Sequence, residues 1–261
     1  MDIQAFCEMM ERIAPPALAM EGDRIGLLIV PDHAELKNVL VALDLTLPVA
    51  DEAIAGGYDL VLTHHPIFWE PVARILPDRP ETAAAYRLIR HGIGMYAAHT
   101  NLDAAIGGVN DVLGETLGLT NLRPLPPEKL GRIGTLETPI RFSEFIALCE
   151  QRLHTRARVV GEASRTVHTV ALIGGSGGGD VEFVHDAGCD AFVTGEMKHS
   201  QAIEAGFYGL CCCILGHHET EFPVLKPLIT RLQQEKNDVQ YDLTRSGKAP
   251  LPCPEGGNIH E

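Results

Sequence analysis

The chain has 261 residues, 45% hydrophobic and 21% charged, with a formal net charge of −14. That length accommodates one large α/β domain or two small ones, and the composition is that of an ordinary globular protein. So acidic a chain argues against a general nucleic-acid surface or an anionic membrane contact, yet leaves room for a locally basic pocket around a phosphorylated ligand.

The opening "MDIQAFCEMMERI" reads as a helix over about residues 2–13. Its acidic residues scattered among apolar ones are the opposite of a basic-then-apolar secretory signal. No apolar run approaches the roughly 18 residues that a membrane span needs. The seven cysteines form no CxxC pair and no disulfide-like spacing, so a reducing, cytoplasmic location is expected. Strands are then expected at 26–30, 38–45, 59–64 and 94–100, with helices near 48–56, 81–91 and 109–118. The stretch "NLRPLPPEKLG", with three prolines and a final glycine, reads as a linker over 122–131. Beyond it come strands at 132–137, 156–161, 169–175, 190–195, 210–216 and 239–244. Helices are expected near 142–153, 180–187, 198–206 and 220–236. "CCC" at 211–213 falls inside one of these apolar runs, where cysteine serves as a small buried hydrophobe.

Short apolar runs alternating with helical patterns predict an α/β fold with mixed, mainly parallel sheets. "GYDLVLTHHP" from Gly57 is echoed by "GCDAFVTGEM" from Gly188, with glycine, aspartate and threonine matched at Gly57/Gly188, Asp59/Asp190 and Thr63/Thr194. Each copy follows a "VAL" strand and precedes a helix, as a duplicated βαβ unit would. The expected organisation is two similar αβ halves, 1–121 and 132–245, related by pseudo-twofold symmetry with a site between them. A loose tail over 246–261 completes the chain.

Three clusters of titratable residues follow expected strands, where ligands bind in parallel α/β proteins. His64 and His65 end an apolar run and are followed by Pro66, which biases His65 towards an extended backbone. A hydrogen-bonded core histidine accounts for one of the two comfortably and for both poorly. His99 and Asp103 are four apart and share a side if the chain curls there; an Asp or Asn turn explains them equally well. In "GHHETEF", His217 and Glu221 are four apart at a helix start, whereas Glu219 suits ordinary dipole complementarity. Together the clusters supply several imidazoles and two carboxylates, which makes metal binding the leading account. The glycine-rich "GGSGGGD" (174–180) lies between a strand and a helix but lacks the lysine of a nucleotide loop. It reads first as a tight turn and second as a phosphate cradle.

"THHPIFW", "HTNLDAAIGGVND", "TGEMKHSQAIEAG" and "GHHETE", in that order, resemble the NGG-one-interacting-factor-three-like proteins, also named type 2 homologues of GTP cyclohydrolase 1. The likeness runs from about Ile3 to Thr244. It implies a dinuclear centre of two divalent ions (zinc, iron or manganese) held by His64, His65, Asp103, His217 and Glu221. His99 stands beside Asp103 as an extra ligand or supporting group and as the candidate catalytic residue. The two adjacent histidines, diverging at a strand exit, would each take a different ion. The resemblance also implies a homohexameric ring with sites facing an internal cavity, in the compact form without an inserted domain. The combined reading is a metal-dependent hydrolase acting on a nucleotide or other small anionic, phosphorylated ligand, GTP-cyclohydrolase-like by family label. The alternative is a ring protein that binds a ligand or regulates through its metals without catalysis.

Overall fold

The chain opens with α1 (Ile3–Ile13), where the Asp2 carboxylate accepts the Ala5 N–H at 2.8 Å and caps the first turn. Phe6, Met9, Met10 and Ile13 recur at helical spacing on its buried face. Then come β1 (Gly26–Ile29), β2 (Asn38–Ala42), α2 (Leu47–Gly56), β3 (Leu60–Thr63), α3 (Ala83–Arg90), β4 (Gly94–Ala97) and the one-turn α4 (Thr100–Ala104). They are followed by α5 (Val109–Thr116), β5 (Thr120–Pro124), β6 (Arg132–Arg141), α6 (Phe142–Leu153), β7 (Arg158–Val160), β8 (Thr166–Ile173) and α7 (Val181–Asp186). The last elements are β9 (Ala191–Thr194), α8 (His199–Phe207), β10 (Cys211–Ile214), α9 (His217–Glu221), α10 (Leu225–Gln234) and β11 (Gln240–Leu243). This computed structural model describes residues 1–126, 130–235 and 238–250.

These elements form two compact units, each built on one sheet. The first comprises Met1–Val109 and Phe222–Gly247, and the second Asn110–Glu221 with the described residues from Lys248 onward. In the first, strand order is β1-β4-β3-β2-β11, all parallel except the antiparallel edge β1. β3 is buried along its whole length, as a central parallel strand covered on both faces must be. Leu40, Ala42, Val61 and Met95 turn one face towards Val49, Ala53, Ala85 and Leu88 of α2 and α3. On α1, Phe6 meets Tyr96 of β4 edge-on at 5.7 Å.

In the second unit the order is β5-β6-β8-β9-β10-β7, with β8, β9 and β10 parallel in the middle and antiparallel strands flanking them. The cysteine run is β10, and its pleat sends Cys211 and Cys213 into one core and Cys212 into the other. All three are fully buried, and burial pushes the Cys212 thiol up to about 12, so these groups are apolar filling rather than nucleophiles or thiolate ligands.

The α/β expectation holds, with three differences of detail. The stretch 122–131 is not simply a linker: most of β5 lies in it, paired antiparallel with β6 at a sheet edge that tolerates Pro124, while 127–129 lie outside the described residues. Where the linear reading assigns 132–245 to a second half, residues 222–247 join the first unit because β11 pairs with β2. The helix expected over 220–236 is split into α9 and α10 by a 3₁₀ turn at Phe222–Val224, where Pro223 has no N–H to donate. Residues 246–250 carry no regular element, and the rest of the expected tail lies outside the described residues. Among the described residues no helix is long and apolar enough to cross a membrane.

The sequence echo is structural. Val39 faces Leu60 across β2 and β3, and Val170 faces Ala191 across β8 and β9, both members shifted by the same 131 residues. Asp59 accepts the backbone N–H groups of Lys37 and Asn38 at 2.7 and 2.9 Å; Asp190 accepts those of His168 and Thr169 at 3.0 and 2.8 Å. Gly57 and Gly188 take φ of +65° and +71° where the helix hands over to the strand, a conformation that glycine adopts without strain. Each aspartate therefore satisfies two consecutive N–H donors, at the start of β2 in one copy and within β8 in the other. Replacing Asp59 or Asp190 by alanine should lower stability by about 1–3 kcal/mol in urea unfolding, because both donors lose their acceptor.

Candidate metal centre

In the first unit the chemistry collects where β3 and β4 end. His64 and His65 directly follow β3, and His99 stands between β4 and α4, which carries Asp103. One ring nitrogen from each of His64, His65 and His99 lies within 4.8 Å of the others. The ring centroids are 4.9 Å apart for His64 and His65, 5.2 Å for His64 and His99, and 5.7 Å for His65 and His99. His64 Nε2 lies 3.5 Å from Asp103 Oδ1, and both residues are buried.

What orients the rings is on their other nitrogen. His64 Nδ1 is 2.9 Å from the Ala98 carbonyl, which can only accept, so the proton sits on Nδ1. His65 Nδ1 is 2.8 Å from Asp44 Oδ1. His99 Nδ1 is 2.8 and 2.9 Å from the two Asp23 oxygens. In each neutral ring this leaves the lone pair on Nε2, the arrangement by which proteins set the tautomer and raise the basicity of metal-binding histidines. Asp23 also accepts the Thr100 N–H at 3.1 Å and the Thr100 hydroxyl. Burial alone would push its carboxyl up, but the hydrogen bonds from His99 and Thr100 and the attraction of His99 outweigh it. The carboxyl is held well below the usual range.

In the second unit the one-turn α9 begins right after Gly216 and places His217 and Glu221 one turn apart. His217 Nε2 lies 3.2 Å from Glu221 Oε2, and Glu221 is buried. Glu196 Oε2 is 3.4 Å from His217 Nδ1. The glycine-rich loop after β8 is fitted against this pair. Gly175, at φ +64°, approaches so closely that a Cβ there would collide with Glu221 Oε1 and sit 3.0 Å from His217 Nε2. Most of its N–H groups are already used by the protein: Gly174 donates to Asn110 at 2.8 Å, Gly175 to Thr220 at 3.0 Å, Gly177 to Thr194 at 3.0 Å and Gly178 to the Glu196 carbonyl at 3.2 Å. The loop is thus a tight turn that makes room for two side chains, and not a backbone cradle for phosphate.

All six expected residues are accounted for: His64, His65, His99 and Asp103 gather in one group, and His217 and Glu221 in another. Nitrogen and carboxylate donors on short, fixed side chains are the set that divalent zinc, iron or manganese accepts, so the residues present fit such ions. Sequence reasoning missed Asp44, Asp23 and Trp69. Asp44 was detectable, since it stands two residues past β2 as His65 stands two residues past β3. Asp23 lies in an irregular segment 76 residues from its partner. The chain's single tryptophan, Trp69, packs edge-on against the His99 ring at 5.1 Å and is 60% exposed. Cobalt(II) titration should therefore quench the intrinsic tryptophan fluorescence saturably in the native protein and no longer do so in His64→Ala; unaltered quenching in that variant would remove the histidine group as the binding locus.

A profile of the family described as Duf34/NIF3 (NGG1p interacting factor 3) matches residues 1–250. A protein named GTP cyclohydrolase 1 type 2 homolog from Streptomyces coelicolor is 33% identical over 226 residues, covering 82% of this chain and 79% of that one. The protein of the same name from Clostridium perfringens is 30% identical, covering 96% and 99%. The crystal structure of a Bacillus cereus protein related to NIF3 superposes with a TM-score of 0.88 at 25% identity, over 97% of this chain and 99% of that one.

Proposed function

The chain belongs to the Duf34/NIF3 family, and from that premise we propose that it is a metal-dependent hydrolase with a dinuclear centre, acting on a nucleotide or another phosphorylated small molecule. The observation that carries this reading is the trio of imidazoles whose Nδ1 atoms are all engaged by carbonyl or carboxylate oxygens. The ligands proposed for two divalent ions are His64, His65, Asp103, His217 and Glu221, which would hold them through imidazole nitrogens and carboxylate oxygens. When bound, such ions supply Lewis acidity for hydrolysis. The chain's own groups do the rest. Asp44 fixes the His65 ring and Asp23 the His99 ring. His99 is the group placed to take up or give a proton at Nε2, its ring held at Nδ1 by Asp23. Trp69 packs against the His99 ring at 5.1 Å in a T-shaped contact and helps to hold it in place. The relatives' name makes GTP the first substrate to screen.

Elemental analysis of protein purified without added metal is expected to give about two ions per chain. His64→Ala and Glu221→Ala should each lose metal. Gly175→Ala, which displaces the Glu221 carboxylate, should weaken retention by about 10–100-fold, the usual cost of disturbing a group that supports a ligand. Hydrolysis of nucleotides or phosphoesters should fall with the metal. Turnover that survives complete metal removal overturns the reading, and full metal occupancy without turnover on any of them favours a ligand-binding protein instead.

A homohexameric assembly in the reducing cytoplasm is part of the same proposal. Its support is the apolar surface that α8 presents at Ile203 and Phe207, 62% and 85% exposed, together with the free state of the described cysteines. Light scattering should return about six times the chain mass of 28.3 kDa; a monomeric mass refutes the assembly.

A further inference from the structure

Besides the ligand pair, the second unit holds a cavity of about 680 Å³, within the size range of small-molecule sites. Its polar lining includes Arg156, Arg158 and Lys198, with the hydroxyls of Thr155 and Ser176, while Met197, Ile214, Leu215 and Pro250 supply apolar wall. His217 lies on the same wall. In a chain with 21 Lys and Arg against 35 Asp and Glu, three cations around one concavity are conspicuous. Acidic groups are present too: Glu196 and Glu219 line the cavity, and Glu150 holds Arg156 at 3.0 Å. Glu196 is turned to His217, at 3.4 Å. Among the described residues neither Arg158 nor Lys198 is engaged in an ion pair, so their charges are available to a ligand.

We propose that this cavity is the seat of the substrate's phosphoryl group, with Arg158 and Lys198 as its principal partners and the apolar wall receiving the body of the molecule. The inference rests on the hydrolase reading only through His217, which lines the cavity as well as belonging to the proposed ligand set. A guanidinium presents a planar fork that matches phosphate oxygens, and a lysine adds a compact point charge. The N–H groups of Gly174, Gly175, Gly177 and Gly178 in the glycine-rich loop are spent within the protein, so charged side chains carry the recognition. Arg158 and Lys198 are exposed at this concave, partly apolar wall, where their charges draw an anion from solvent on an otherwise acidic chain. A phosphorylated ligand seated here would lie against His217, so the same cavity selects for phosphate and delivers the molecule to the ligand pair.

The test is a calorimetric titration with phenylphosphonate, a non-hydrolysable anion carrying a ring, against neutral benzyl alcohol. It is run on the protein as purified and after chelator treatment, with metal content measured on the same samples. Phenylphosphonate should bind in both states and at least tenfold more tightly than benzyl alcohol. Arg158→Ala should weaken it about tenfold, Arg158→Lys less, and Arg158→Ala with Lys198→Ala together should abolish it, all with metal content unchanged. Equal binding by native protein and the double variant overturns the proposal, as does equal binding of the alcohol. Loss of phosphonate binding on metal removal alone also overturns it, because the ions rather than the cavity would then hold the anion. Since chelated protein is one arm, absence of metal in the purified protein defeats the hydrolase reading without deciding this one.

Discussion

The hydrogen bond at Nδ1 is the constraint on which the candidate centre depends. An imidazole offers a metal either nitrogen, and a free ring would rotate between the two. Here three rings are each fixed from behind, one by a backbone carbonyl and two by carboxylates. The bonds set the tautomer, the plane of the ring and the basicity of the far nitrogen together. They also explain why the site stands at strand ends. The Ala98 carbonyl and Asp44 lie just past the last paired residues of β4 and β2, on either side of β3, so the sheet itself brings the anchors to the histidines.

Much of this was legible in the sequence, because strand ends and paired histidines leave local signals. "THHP" announces a strand that stops at its functional residues, and i, i+4 spacing placed Asp103 and Glu221 on short helical turns. What was not legible is what depends on distant partners. Nothing near Asp23 says that a histidine 76 residues away will sit on its carboxylate. The strand at 120–124 was hidden by proline, which marks a linker in isolation and an edge strand in context. The glycine-rich loop is the tight turn that its first reading expected, but its composition does not say that the absent side chains leave space for His217 and Glu221.

The duplicated βαβ element clarifies how one scaffold carries two kinds of donor. Register and aspartate clamp agree at an offset of 131 residues, and so does the helix-ending glycine. The position matching His64 is therefore Gly195, where a Cβ would crowd the Gly175 and Gly216 carbonyls and the Thr220 hydroxyl. One copy uses its strand end for imidazoles. The other keeps that point bare and takes its donors from α9, one strand over. Matching backbones thus serve different ends through a single choice, side chain or no side chain, at the same place.

The chain path through the first unit has a consequence for how the molecule comes into being. The aspartate clamp on β2 and β3 bridges only 21–22 residues, so that contact closes over a short loop and at small entropic cost. β11, which completes the same sheet, pairs residue 240 with residue 38. On the ribosome Asn110–Glu221 of the second unit are therefore made before the first can finish its sheet, and until then β2 presents an open edge. Such an edge is a template for pairing with another nascent chain. The last of the described strands to emerge is the one that removes this hazard.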